Sequence, residues 1–263
     1  SYLLAGEYFR ALPVENGGEV KGWKENLNLA ISTFTEALKF TSDTDETAFI
    51  NTLIARAYYR LGDKVNAVKY ASNVLTLSTD FTKQVTFDGE NNVISSIQGY
   101  IYGTNFQPLP RLDFLDPKYF QTKAKEARPI CIAKAEEPYL ILAEAALADN
   151  DVSGAKGFLK TLLTLVSNRP VAIDINDQLE GRYNGGYKEY PNSSEYRVAA
   201  SSEDEFRSGL VLDRQSPHLI SVPYISGTSV TEEMIDAPTT VDGLLEVLYL
   251  MRQEIFMAEG RRA

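Results

Sequence analysis

Apolar residues recur at helical spacing in three separate stretches of the chain, with irregular polar and aromatic stretches between them. In the first, Leu27, Ile31, Phe34, Ala37 and Leu38 follow the i, i+3/i+4 rule that places them on one stripe of a helix. Ahead of them Tyr2, Leu3, Leu4, Tyr8 and Phe9 suit another helix, which Pro13 and the Gly17-Gly18 pair end. Two more helices are predicted, over about residues 45–61 and about residues 65–77. The second stretch covers about residues 136–166. It opens on Tyr139-Leu140-Ile141-Leu142-Ala143-Glu144-Ala145, breaks at Asp149-Asn150-Asp151 and resumes with Ala155, Leu159, Leu162 and Leu163. The third predicts one helix over about residues 241–260, with Leu244, Leu245, Leu248, Ile255 and Phe256 on its apolar side.

The joins between helices are informative. At Leu61-Gly62-Asp63, glycine can adopt the positive φ that ends one helix and aspartate can cap the next. So short a connection forces the two helices to pack antiparallel. Moved 88 positions along, this hairpin overlays the second stretch: Ala55 falls on Ala143, Ala57 on Ala145, Asp63 on Asp151, Ala67 on Ala155 and Leu75 on Leu163. Small residues sit where helices approach closely and larger ones where a neighbour is covered, as in a helical repeat. The predicted fold is therefore mainly α. Tetratricopeptide-like helical hairpins would form a right-handed superhelical scaffold from residues 1–77, 136–167 and 241–260 of a single domain.

Two long excursions, residues 78–128 and 168–240, do not read as helix. The first holds β-type runs such as Val93-Ile94-Ser95-Ser96-Ile97 and a proline-marked segment, Gln107-Pro108-Leu109-Pro110; the second is rich in Gly, Asn, Ser, Pro and Tyr. Stretches this long without helix are uncommon in compact domains unless they have a task, so function is expected there.

Charge narrows the function classes. With 36 acidic against 26 basic residues the chain carries a net charge of −10, which repels phosphate backbones and argues against nucleic acid as a partner. No segment has the roughly 18 consecutive apolar residues of a membrane span. The single cysteine, Cys131, lies in the apolar run Pro129-Ile130-Cys131-Ile132-Ala133 and reads as a small buried hydrophobe. Ser1 in place of Met, and an end at Arg261-Arg262-Ala263 inside a helical pattern, read as a trimmed chain whose signal peptide or anchor lies elsewhere.

Catalytic patterns fail one by one. Asp113 with Asp116, and Asp174 with Asp177, flank loops, where short acids form turns and caps more often than they catalyse. His218 is the only histidine and no G-x-S-x-G accompanies it; with Cys131 it falls short of a zinc ligand set. Asp43-Thr44-Asp45-Glu46 and Asp174-Ile175-Asn176-Asp177 do not continue into a twelve-residue calcium loop. Gly185-Gly186 lacks the lysine and threonine of a phosphate loop.

Tyrosine stands out, with 15 copies. Tyr100 and Tyr102 accompany Phe106 in the first excursion; Tyr183, Asn184, Tyr187, Tyr190 and Tyr196 crowd the second. An aromatic face suits the apolar face of a sugar ring, and neighbouring Asn, Asp and Arg can bond its hydroxyls. For any single tyrosine, pinning a long loop onto the helices is the more ordinary reading. Trp23, just before a helix, is either a hydrophobic staple or an exposed platform.

Three segments resemble the SusD/RagB family of surface nutrient-binding lipoproteins of Bacteroidetes. Ala55-Arg56-Ala57-Tyr58-Tyr59-Arg60-Leu61-Gly62-Asp63, with Ala67 and Tyr70-Ala71-Ser72-Asn73-Val74-Leu75, is similar to its first clear repeat hairpin. Glu137-Pro138-Tyr139-Leu140-Ile141-Leu142-Ala143-Glu144-Ala145 is similar to its most characteristic helix. Leu250-Met251-Arg252-Gln253-Glu254-Ile255-Phe256-Met257-Ala258-Glu259-Gly260-Arg261-Arg262 is similar to its C-terminal helix. The likeness covers about half the chain, in the family's order. The excursions match none of its binding motifs, so no ligand-contacting residue carries over.

The resemblance implies a protein held at the outer-membrane surface by a lipid anchor that is not in this sequence. It would capture an oligosaccharide, or a peptide, and deliver it to a partner SusC-like TonB-dependent outer-membrane transporter, with no reaction and no cofactor. Trp23, Tyr100, Tyr102, Phe106, Tyr183, Asn184, Tyr187 and Tyr190 are the candidate ligand contacts. The alternatives are a peptide- or protein-binding helical-repeat adaptor and, more remotely, a hydrolase on a helical scaffold.

Overall fold

The computed structural model describes Leu3 and residues 21–102, 117–119, 122, 125–176 and 219–261. The protein is mainly helical, with a few short strands. The long helices are α1 (Trp23–Ala37), α2 (Thr44–Leu61), α3 (Lys64–Leu77), α5 (Glu136–Ala148), α6 (Val152–Ser167) and α8 (Val241–Ile255). The short ones are α4 (Ser96–Tyr102) and α7 (Glu232–Asp236); the strands are β1 (Thr82–Val85), β2 (Ile130–Lys134), β3 (Val171–Asn176) and β4 (Leu219–Pro223). The chain divides into two compact units. One comprises Ser1–Lys83, Ala133–Leu162 and Ile235–Leu248, the other Gln84–Ile132, Leu163–Met234 and Tyr249–Ala263.

In the first unit, α2 packs against α1 and α3, and α3 packs against α5. Helix α2 begins where Asp43 accepts the Glu46 amide at 2.7 Å, with Asp45 and Glu46 in the first turn, where carboxylates suit the positive end of the helix. Its core-facing residues serve two neighbours. Ile50, Leu53, Ile54 and Ala57 join Leu27, Ala30 and Ile31 of α1 in one buried cluster. Ala55 joins Ala67 and Ala71 of α3 and Ile141 and Leu142 of α5 in a second. Alanine at these crossings lets the helix axes come close, since interaxial distance follows the size of the side chains at the contact.

Both hairpins close with the same turn. Gly62 has φ +75° and Asn150 has φ +60°. Gly62 N donates to Tyr59 O at 3.0 Å and Asp63 N to Tyr58 O at 3.0 Å, while Asn150 N donates to Leu147 O at 2.9 Å and Asp151 N to Ala146 O at 2.9 Å. The next helix is then capped alike: Asp63 Oδ1 accepts from Asn66 N at 3.0 Å and Asp151 Oδ1 from Gly154 N at 2.8 Å. Every residue in the second set stands 88 positions after its counterpart. The left-handed residue followed by an aspartate cap satisfies the carbonyls of one helix end and the amides of the next start.

In the second unit, β3 and β4 pair antiparallel, Val171 opposite Pro223 and Asn176 opposite Leu219, with an irregularity between Ala172 and Ile175 where Asp174 takes φ +55°. Gly89 marks a close approach: a Cβ there would lie 2.0 Å from the backbone oxygen of Lys125. A buried polar network surrounds Arg128. Its guanidinium donates to Lys118 O at 2.9 Å, Pro223 O at 3.0 Å and Glu126 Oε1 at 3.2 Å, and lies 4.0 Å from the Tyr224 ring centroid.

Two expectations need correction. The run Val93–Ile97 is not β-type, because Val93 and Ile94 are exposed without regular structure and Ser96-Ile97 begin α4. Ser95 Oγ accepts the Gln98 amide at 3.1 Å, so a helix cap wins over the β-propensity of the flanking residues. The last helix stops at Ile255, and residues 256–260 continue as turns, with Ala258 at φ +57° and Gly260 at φ +73°. Lys118 Nζ caps this end by donating to Ile255 O at 2.9 Å, and it binds Glu259 Oε1 at 2.7 Å. A buried ammonium from a distant segment therefore takes the place of another helical turn.

Candidate functional site

The predicted ligand contacts do not meet in one described place. Phe106, Tyr183, Asn184, Tyr187 and Tyr190 lie outside the described residues, as do Asp113, Asp116, Asp177, His218 and Gly185-Gly186. Tyr100 and Tyr102 belong to α4, but their side chains lie outside the description. Trp23 is the first residue of α1, half-buried against the cluster that holds Leu27 and Ile31, with Lys24 Nζ 5.4 Å from its ring centroid. Cys131 is buried and accepts a weak bond from Gln84 Nε2 at 3.4 Å. Asp43, weighed above as a calcium ligand, is the α2 cap. Among the described residues no group of three or more His, Cys, Asp or Glu converges on a possible metal position.

Several polar residues of the three segments singled out above make internal bonds. Arg56 on α2 meets Glu137 on α5 through two parallel bonds, Nε to Oε1 at 2.6 Å and Nη2 to Oε2 at 2.7 Å. This fork geometry joins the first segment to the second, and both side chains are less than a tenth exposed. Within the second unit, Glu254 accepts from Thr228 Oγ1, Ser229 N and Ser229 Oγ, each at 2.7 Å, and so fixes the loop before α7. Glu259 binds Lys118 and Arg261, and Arg261 Nη1 donates to Ile132 O at 2.7 Å. Carboxylates held this way serve as fasteners between segments distant in sequence.

The tyrosines of the first unit also have definite neighbours. Tyr58 stacks on Tyr70, ring centroids 5.6 Å apart, and burial, followed by the nearby Tyr70 and Asp63, raises its hydroxyl pKa above the usual value. Burial likewise raises that of Tyr139, reinforced by the negative charges of Asp80 and Glu136. Tyr59 donates to Glu144 Oε2 at 2.9 Å.

This last pair stands on the wall of an open hollow of about 360 Å³ in the first unit, formed where α2 turns into α3 and α5 runs alongside. Its floor is apolar, with Ala67, Val68, Ile141 and Ala145, and charged groups of both signs stand around it: Arg60, Lys64 and Glu144. The size lies at the lower end of the range for small-molecule sites. Sequence reasoning identified the hairpins and missed the hollow. The signal was present in the small residues at matched positions of both hairpins, which leave room beside them as well as allowing close packing.

No helix among the described residues is long and apolar enough to cross a membrane. No family model, curated protein or solved structure matches the chain.

Proposed function

We propose that the chain is a nutrient-capture protein of the SusD/RagB kind, which holds an oligosaccharide at the cell surface and passes it to a TonB-dependent transporter. The observation that carries the reading is the repeat itself: two hairpins, 88 positions apart, closed by the same left-handed turn and aspartate cap. The first of the segments that resemble the family contains the first hairpin, and the second contains the opening helix of the other. In this reading the hairpins stack as a right-handed tetratricopeptide-like superhelix. That scaffold presents the tyrosine-rich excursions, and the protein binds without catalysing and without a cofactor. The bonds of Glu137, Glu144, Glu254 and Glu259 support it, because the motif carboxylates are engaged in holding the scaffold.

A calorimetric screen of oligosaccharides against the full chain tests the reading. Saturable binding to one glycan, lost on Tyr183→Ala or Tyr187→Ala, is the expected result. Binding to extended peptides alone would leave the helical-repeat adaptor in its place, and release of reducing ends from a polysaccharide would establish a hydrolase.

A further inference from the structure

We propose that the hollow in the first unit binds a small molecule with an apolar body and one carboxylate, and that the carboxylate docks on Arg60. The argument is one of charge and lining. Of the three charged side chains around the hollow, two already have opposite or hydrogen-bonding partners: Lys64 pairs with Asp149, and Glu144 accepts the Tyr59 hydroxyl. Arg60 has neither a carboxylate nor a carbonyl partner among the described residues. The residue as a whole is half-buried, its stem lying against the hollow. An arginine fork matches a carboxylate through two parallel bonds.

The rest of the hollow selects the body of the ligand. Ala67, Val68, Ile141 and Ala145 supply apolar surface with small side chains, which admits an aryl or branched alkyl group. The lining residues are not among those assigned to glycan capture, and the proposal stands or falls without that reading.

The probe is 3-phenylpropionate, added to the full chain and followed by NMR at the methyl groups of Val68 and Ile141. Neutral 3-phenylpropanamide and cationic 3-phenylpropylammonium serve as isosteres. Saturable shifts at both methyls are expected with the acid, and affinity about tenfold or more lower for the amide, the scale of a charge-assisted pair. Arg60→Gln, which breaks no bond to described residues, lowers affinity for the acid to that of the amide, and Arg60→Lys restores part of it. Val68→Trp, which fills the hollow, abolishes the shift at Ile141 for all three probes. Equal affinity for acid and amide, preference for the ammonium, unchanged binding in Arg60→Gln, or shifts only elsewhere would each overturn the proposal. None of these results touches the glycan screen.

Discussion

Replacing Glu137 by Ala leaves the Arg56 guanidinium buried beside α5 without its carboxylate. The two bonds are 2.6 and 2.7 Å long and the side chains are 8% and 9% exposed, so water cannot replace the lost acceptor without opening the packing between α2 and α5. Breaking one side of a buried ion pair costs about 3–5 kcal/mol, because the surviving charge keeps its desolvation penalty. At about 2–4 °C per kcal/mol for a chain of this size, the melting temperature falls by about 6–20 °C. Removing both charges together is different: Arg56→Met with Glu137→Leu leaves neither of the two charges stranded and costs less than the two single changes combined. Urea unfolding of the wild type, both single variants and the double variant completes the cycle, and hydrogen exchange at the amides of Ala55–Ala57 localises the effect to α2. The reasoning is falsified if Glu137→Ala costs less than about 1 kcal/mol, or if the double variant is as unstable as the two singles combined.

Four further outcomes follow from local geometry. Gly62→Ala places a Cβ in the left-handed region with nothing within 4 Å of it, so the cost of about 1–2 kcal/mol is purely conformational; Asn150→Gly at the matching turn raises stability by up to about 1 kcal/mol, both read from thermal melts. Gly89→Ala forces a methyl against the Lys125 backbone and destabilises the second unit by about 1–3 kcal/mol or more, visible as lost exchange protection around residues 89 and 127. The Asp63 carboxyl titrates below its ordinary value of 3.8, because the side chain and then the backbone amide of Asn66 bond its charged form. A depressed folded pKa adds stability that is fully present above the unfolded value and is lost as pH falls through the folded one. An NMR titration of Asp63 with a midpoint at or above 3.8 would contradict this.

The helices were legible because the information that makes them is local. The stripe of Leu27, Ile31 and Phe34 specifies a helix, and Leu61-Gly62-Asp63 specifies where one stops and the next starts. Asn150 could be aligned with Gly62 for the same reason, since an αL residue and a capping aspartate act within a few positions of themselves. The helix over Ser96–Tyr102 was hidden by the β-branched Val93 and Ile94, although Ser95 followed three residues later by Gln98 is a capping signal.

What the sequence determined by itself is a set of helices, their polarity and the pairing of neighbours through short turns. Tertiary structure decided the use of the charged residues. Nothing in the spacing of Arg56 and Glu137, or of Lys118 and Glu259, announces that they meet, because each pair brings together segments far apart in the chain. The same holds for the end of α8, where the periodic pattern runs on to residue 260 and the backbone follows a buried lysine instead. The hollow beside Arg60 also belongs to this second kind of information. Its floor comes from α3 and α5, and its one unpartnered guanidinium among the described residues becomes visible only when the partners of Lys64 and Glu144 are known. Helix formation depends on contacts a turn apart; a binding surface depends on which distant side chains have already satisfied one another.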